Sequence, residues 1–399
     1  MTMTALRRVI HSACRSLVAP AVAGAVPLVL AGAVACSTSV AAGRPEAPAP
    51  SATTPTPPPA AKPGAVPPSA PAVTPDDVRG IIAVLAADSL EGRGTGTRGS
   101  AKAARFIAEW FGRVGLEPAG DSGFVQRVPM AVVAGPNGPR RVMLLESLAA
   151  LDTVPADGRL SGGNVVGVLR GSDPALRDEA VLVDAHYDHL GVGQAANGDS
   201  IYNGADDDAS GIATVMLVAR ALAAGPPPRR TVVFLASTGE EVGLVGTRWY
   251  IKHPAVPLAR TVANLEVEMI GRPDSLAGGV GRGWLTGYDR STMGEMLRAA
   301  GIPLVPDPRP DQNFFERSDN IVFAWLGVPA HALSTFNLHA DYHTPDDEAE
   351  RMDYAHMAQV IDAAVRAVRL MTDGPAPQWK PGQRPVAPPA ARKALGLEP

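Results

Sequence analysis

The sequence predicts an α/β domain: a mostly parallel, mixed sheet with helices on both faces. Three observations lead there. The runs Val181-Leu-Val-Asp-Ala185 and Thr231-Val-Val-Phe-Leu-Ala236 are nearly continuous apolar stretches, as expected of strands buried on both sides. Between them, Ala209–Ala224 places Ile212, Val215, Met216, Ala219 and Leu222 at helical spacing. Strand and helix patterns then keep alternating, which is the order of a parallel sheet with crossover helices.

The elements follow in chain order. Thr74-Pro-Asp-Asp77 is a helix start, and the spacing predicts a helix over 76–90. Glu91–Gly99 is glycine-rich, and Gly94-Thr-Gly96-Thr-Arg-Gly99 satisfies G-x-G-x-x-G. A dinucleotide loop needs a strand before it; here a helix precedes it, so a plain flexible loop is expected. A helix with Phe106, Ile107, Trp110, Phe111 and Val114 on one face follows. Strand-like segments cover 124–128, 141–145 and 164–169. After the alternating units come a helix over 242–251 and strands over 261–269 and 328–333.

Composition limits what the domain can do. The chain has 399 residues, 46% hydrophobic and 19% charged, so a sizeable core is available. Lys and Arg total 36 against 40 Asp and Glu, a net charge of -4, which argues against nucleic-acid binding. The two cysteines, Cys14 and Cys36, both lie near the N-terminus. A disulfide scaffold, a cysteine-ligated metal and a cysteine nucleophile are thereby excluded from the main domain.

The ends differ from the middle. Arg7, Arg8 and Arg15 precede an apolar stretch with small residues up to Cys36, the pattern of an export signal over 1–36. Leu30-Ala-Gly-Ala-Val-Ala-Cys36 also resembles a lipoprotein processing site, so lipidation of Cys36, and anchoring to a membrane through it, is one expectation and plain secretion the other. Residues 37–75 read as a Pro/Ala-rich linker, 76–373 as a single domain, and 374–399 as a Pro-rich, unpacked tail. The stretch 129–180 is too short for a full inserted domain.

Ligands of α/β sheets bind outside the carboxyl ends of the strands, and the unusual polar residues gather there. The first buried strand ends in His186-Tyr187-Asp188. The next helix opens with Asn203-Gly-Ala-Asp206-Asp207-Asp208-Ala-Ser-Gly211, three acids that repel one another unless a cation or helix terminus offsets them. The second strand ends in Ser237-Thr-Gly-Glu240-Glu241. The third carries Glu266 and Glu268 on one face, in an apolar context where charges need partners. Tyr342-His343-Thr-Pro-Asp346-Asp347 follows the last strand. Two histidines and several carboxylates at successive strand ends form a donor inventory for two zinc-like ions sharing a carboxylate; an N/O set also admits Mn or Co.

These five blocks, in this order across roughly 185–350, resemble the co-catalytic di-zinc aminopeptidases, the group of bacterial leucyl aminopeptidases and aminopeptidase Y, related to glutamate carboxypeptidase II. The resemblance implies two zinc ions per chain, a peptide substrate, and hydrolysis of N-terminal residues. It implies that His186 and Glu268 bind one ion, Glu241 and His343 the other, and Asp207 both. Asp188 would orient His186, Glu240 would be the general base acting on the water between the ions, and Tyr342 would donate to the oxyanion. It also implies a cis peptide after Asp207.

Two positions depart from that pattern: Glu268 stands where Asp is usual, and Asp208 where Asn is frequent, adding charge beside the shared ligand. Glu266 is the alternative to Glu268 as a ligand. His189, His253, His331, His339 and His356 fall outside any assigned role; His339, just before His343, is the one expected near the pocket. Phe314, Phe315, Phe323, Trp325 and Phe336 are candidates for an apolar specificity pocket or for core. The competing readings are glutaminyl cyclase, a carboxypeptidase or dipeptidase on the same fold, and a membrane-tethered binding module.

Overall fold

Thr74 opens the first helix, α1 (Pro75–Leu85), with a reciprocal cap: its hydroxyl accepts from Asp77 N while the Asp77 carboxylate accepts from Thr74 N. The computed structural model describes residues 72–135 and 138–395. The expected export signal, Cys36 and the linker up to Pro71 lie outside the described residues. The first helix ends five residues before the expected Leu90, and a 3-10 turn over Asp88–Arg93 leads to α2 (Arg98–Arg113).

Short strands follow: β1 (Glu117–Pro118), β2 (Val125–Arg127), β3 (Met130–Gly135), β4 (Gly138–Leu144) and β5 (Arg159–Leu160), then the longer β6 (Gly163–Leu169) and β7 (Ala180–His186) and the hairpin β8 (Gly191–Ala196) and β9 (Asp199–Tyr202). The second half contains α3 (Gly211–Ala224), β10 (Thr231–Ser237), α4 (Val245–Tyr250), β11 (Thr261–Val267), β12 (Gly283–Leu285), α5 (Met293–Ala299), β13 (Leu304–Pro306), α6 (Asn320–Trp325), β14 (Ala330–Ser334), α7 (Tyr354–Asp373) and α8 (Pro389–Leu395).

Nine strands form one mixed sheet in the order β1-β6-β10-β7-β11-β14-β12-β13, with β2 also on β6. The centre, β10-β7-β11-β14, is parallel, and antiparallel strands close both sides. Strand alternation divides the core in two. Val181, Val183 and Ala185 of β7 pack with residues of α1, α2, α3 and α7. Ala180 and Leu182 pack with residues of α4, α6 and α8. Both faces are covered, which is why these strands read as unbroken apolar runs. Because the central strands run parallel, their carboxyl ends share one edge of the sheet.

The tail departs from expectation. Residues 374–395 pack onto the domain instead of hanging free: Trp379 donates to Gly327 O at 3.0 Å, Arg384 donates to Trp325 O at 2.9 Å, and Leu395 is buried. Single apolar anchors among prolines hold this segment, and its average composition conceals them. Among the described residues no helix is long and apolar enough to cross a membrane.

Candidate metal centre

Four parallel strands deliver the site. His186 ends β7; Glu240 and Glu241 follow β10 by a few residues; Glu268 is the first residue after β11; His343 lies in the loop after β14. Asp207 comes from the turn opening α3, and its peptide bond to Asp208 is cis, as the resemblance implies.

Two donor groups meet at Asp207. His186 Nε2 lies 3.2 Å from Asp207 Oδ1. On the other oxygen, His343 Nε2 lies 3.0 Å from Asp207 Oδ2 and 3.3 Å from Glu241 Oε1. Each group, His186–Asp207–Glu268 and His189–Asp207–Glu241–His343, has its donor atoms within 4.8 Å of one another. A tetrahedral ion with bonds of about 2.1 Å separates its ligand atoms by about 3.4 Å, so these spacings fit one. Bonding supports the same reading. His186 Nε2, His189 Nδ1, His343 Nε2 and Glu241 Oε1 are buried, yet none has a hydrogen-bond partner. Atoms this close that make no hydrogen bonds are free to take a cation between them, and the donor set, imidazole with carboxylate, suits zinc.

The electrostatics describe the same crowding. Burial works against a charged His343, but its approach to Asp207 and Glu241 pushes it up to about 10. Burial would raise Glu241, but His189 and His343 hold it down to about 2. Burial raises Glu268 to about 7 and pushes Glu240 well above the usual carboxylate range.

The expected roles meet the structure unevenly. His186, Asp207, Glu241, Glu268 and His343 come together as donors. Glu266 does not join them: its carboxylate accepts from Ser318 Oγ, Asp319 N and Asn320 N. Asp188 does not bond His186 through its carboxylate, which stands 4.0 Å from Nδ1. Its main-chain carbonyl takes the ring N–H at 3.1 Å, and its carboxylate accepts from Thr95 Oγ1 and Glu240 N. Burial pushes the Asp208 carboxyl well above the usual range, and its Oδ1 accepts from Gly211 N and Met269 N. His339 does not line the pocket; it bonds Asp206 Oδ2 at 2.9 Å.

The pocket beside the donors is walled by Met269, Trp284, Phe314, Phe336 and Tyr342, with Arg317, Thr286, Ser334 and Glu240 as further polar members. Tyr342 stacks on the His343 ring at 3.8 Å. Of the aromatic candidates, Phe314 and Phe336 line the pocket, whereas Phe315, Phe323 and Trp325 belong to the core under α6.

Four residues were missed. His189 enters the donor group. Arg317 faces the pocket. Asp347 accepts from Asp206 N and Asp207 N and is raised by burial to about 8. Arg93 is fully buried and donates to the carbonyls of Leu85, Tyr187, Asn203 and Gly204 at 2.5–2.8 Å. The glycine-rich loop expected to be flexible is therefore part of the site's wall, with Gly94 bridged to His189 and Thr95 bonded to Asp188. A signal for His189 was available, since His186 and His189 flank the end of one strand.

Comparison with known proteins follows the same lines. The profile of Peptidase family M28 matches residues 164–368, just over half of the chain. The vacuolar membrane protease of Aspergillus fumigatus is 30% identical over 197 residues, 46% of this chain and 18% of that protein. The protein of the same name from Tuber melanosporum is 26% identical over 225 residues, 53% and 21% of the two chains. The chain thus spans about a fifth of the length of these curated relatives. Among solved structures, a zinc aminopeptidase from Bacillus subtilis superposes with a TM-score of 0.55 at 17% identity, covering 75% of this chain and 96% of its own. An aminopeptidase from Aneurinibacillus sp. strain AM-1 superposes with a TM-score of 0.52 at 15% identity, covering 79% and 96%.

Proposed function

The chain belongs to peptidase family M28, and we propose that it is an exported, di-zinc exopeptidase that removes N-terminal residues from peptides. The observation that carries this reading is the pair of donor groups sharing Asp207, with Glu240 and an apolar pocket alongside. His186, Asp207 and Glu268 would hold one ion; Asp207, Glu241 and His343 the other. When bound, such ions polarise a peptide carbonyl and lower the pKa of water at neutral pH.

The remaining steps belong to the chain's own groups. Glu240 takes a proton from the attacking water as its oxygen bonds to the scissile carbon. As the C–N bond breaks, the same carboxyl returns the proton to the leaving amine. Its burial raises its pKa toward the range where one group can serve in both directions. Tyr342 offers a hydroxyl to the oxyanion. Arg317, on the pocket wall, is a second donor toward the substrate, and a cationic one. The acidic surroundings of Asp207 and Glu268 suit a free substrate amine, and the aromatic wall suits an apolar side chain. Asp188 acts as a support, fixing Glu240 through its main-chain N–H.

The test uses the purified, zinc-loaded protein and matched peptides with free or acetylated N-termini, followed by mass spectrometry. Stepwise loss from the free peptides alone is the expected result. Ammonia loss from N-terminal Gln would assign a cyclase, and trimming from the other end a carboxypeptidase. No product with two ions bound would overturn the reading. Export through residues 1–36 is tested separately: labelled palmitate should enter the wild type and not Cys36→Ser if Cys36 is the anchor.

A further inference from the structure

One imidazole in the donor cluster has no role in the reading above. His189 is fully buried, follows the first strand-end histidine by three residues, and has no hydrogen-bond partner at either ring nitrogen. Its Nδ1 lies 2.8 Å from Glu241 Oε1 and 3.7 Å from Asp207 Oδ2. With the His343 contacts to the same two carboxylates at 3.3 and 3.0 Å, these spacings scatter around the edge of a tetrahedron with ~2.1 Å bonds, about 3.4 Å.

The ring is held in that place. His189 N donates to Arg93 O at 3.3 Å, and Gly94 bridges the same residue from the glycine-rich loop. On the ring's other side is Gly204, at φ +57; a Cβ there would come within 2.6 Å of His189 Cγ and Cδ2. Only glycine both adopts that backbone and leaves room for the imidazole. A buried ring nitrogen that lies beside two carboxylates without a hydrogen bond is costly unless something occupies the space they share.

Resting on the di-zinc reading, we infer that His189 is a fourth protein donor, through Nδ1, to the ion held by Asp207, Glu241 and His343. The two sites are then unequal. The His189 site has two imidazoles and two carboxylates, a full tetrahedral set of the kind found at closed, retained sites. The His186–Asp207–Glu268 group offers three protein donors and keeps a position open. The first equivalent of zinc goes to the closed site and is the last to leave.

The experiment compares metal-free wild type with His189→Gln and His189→Ala, each first checked by circular dichroism for native fold. Zinc affinity for the first equivalent is measured against a competing chelator. Long-range ¹H–¹⁵N correlation spectra of histidine-labelled wild type with one equivalent of zinc report which nitrogen of His189 carries the proton. The expected result is a loss of more than ~100-fold in first-equivalent affinity in both variants, beyond the 10–100-fold typical of outer partners. His189 Nδ1 should also be metal-bound and unprotonated. A proton on Nδ1 with zinc bound, or variants within tenfold of wild type, would overturn the inference and leave His189 as a neighbour of Glu241. A wild type that binds no zinc would overturn the di-zinc reading itself, and the inference with it.

Discussion

Two clusters of acids lie at neighbouring levels of one sheet and solve their charge in different ways. The upper one, at the strand ends, combines Asp207, Glu241 and Glu268 with three histidines, and its facing nitrogens and Glu241 Oε1 find no hydrogen-bond partners. The lower one, Asp184, Glu266 and Asp319, is wholly buried and already wrapped in donors: Asn264 on Asp184, Ser237 on Asp319, and Ser318 with two main-chain N–H groups on Glu266. Burial pushes Asp184 and Asp319 up, Asp184 further because Asp319 faces it. A protonated carboxyl supplies the O–H that the unpaired Asp184 Oδ2 and Asp319 Oδ1 lack. In the lower cluster burial favours the protonated carboxyls, whereas donor atoms of the upper one lie close together without hydrogen bonds. Residue type alone does not separate a ligand set from an acidic core; the prior claims on each oxygen do.

The largest effect should come from the one residue common to both donor groups. Asp207→Ala should lose both zinc ions by elemental analysis and with them all measurable hydrolysis; retention of two ions would break the contrast at its centre. Glu240→Gln comes next. It should keep its zinc while hydrolysis falls by about 10²–10⁴-fold, the range of a general base.

His331 sharpens the comparison from a third direction, as a buried histidine kept neutral. Its Nδ1–H donates to Thr286 O and its Nε2 accepts from Ser291, both at 2.7 Å, and burial lowers it to about 4. The unfolded chain binds this proton below about pH 6.5 and the native state only below about 4. Stability is therefore full above 6.5 and falls by about 3 kcal/mol as pH drops to 4. Urea midpoints across that range should show a slope that His331→Gln lacks.

The last two changes probe the lower cluster. Glu266→Gln should leave zinc content intact and cost about 1–3 kcal/mol in chemical denaturation. Each Glu266 oxygen accepts a main-chain N–H, so the amide NH2 must deprive one of them. Loss of zinc here would mean the lower cluster is part of the ligand set after all. Asp184→Asn should be the mildest, under about 1 kcal/mol, because its amide oxygen can keep the Asn264 bond while its NH2 takes the place of the unpartnered Oδ2. A carboxyl raised on folding stabilises below its unfolded pKa and loses that contribution as pH rises through the folded value. The wild type should therefore lose more stability on the alkaline side than Asp184→Asn.

Much of the scaffold was legible in sequence because β7, β10 and β11 are buried on both faces and carry that fact in unbroken apolar runs. The donors were legible because polar residues at the ends of such runs have few other reasons to be there. What stayed hidden depends on contacts distant in sequence. Glu266 and Glu268 share a strand face, and only the N-terminus of α6 arriving over Glu266 tells them apart. The role of Asp188 passed to its carbonyl because Thr95, 93 residues earlier, holds the carboxylate. His189 was readable as a neighbour of His186, but its ring position depends on Gly204 making room. The tail was misjudged because composition averages over a segment, whereas docking is made by particular residues, among them Trp379, Arg384 and Leu395.

Arg93 determines where the chain can be divided. Its guanidinium gathers carbonyls from Leu85, at the end of α1, and from Tyr187, Asn203 and Gly204 around the donors. A fragment starting at residue 164 would contain every donor side chain but neither Arg93 nor Leu85, leaving the carbonyls of Tyr187, Asn203 and Gly204 without their shared donor. The stretch that carries the chemistry is not a portable cassette: a graft or shortened version must begin upstream of Leu85, at the cap of the first helix, to bring its own keystone.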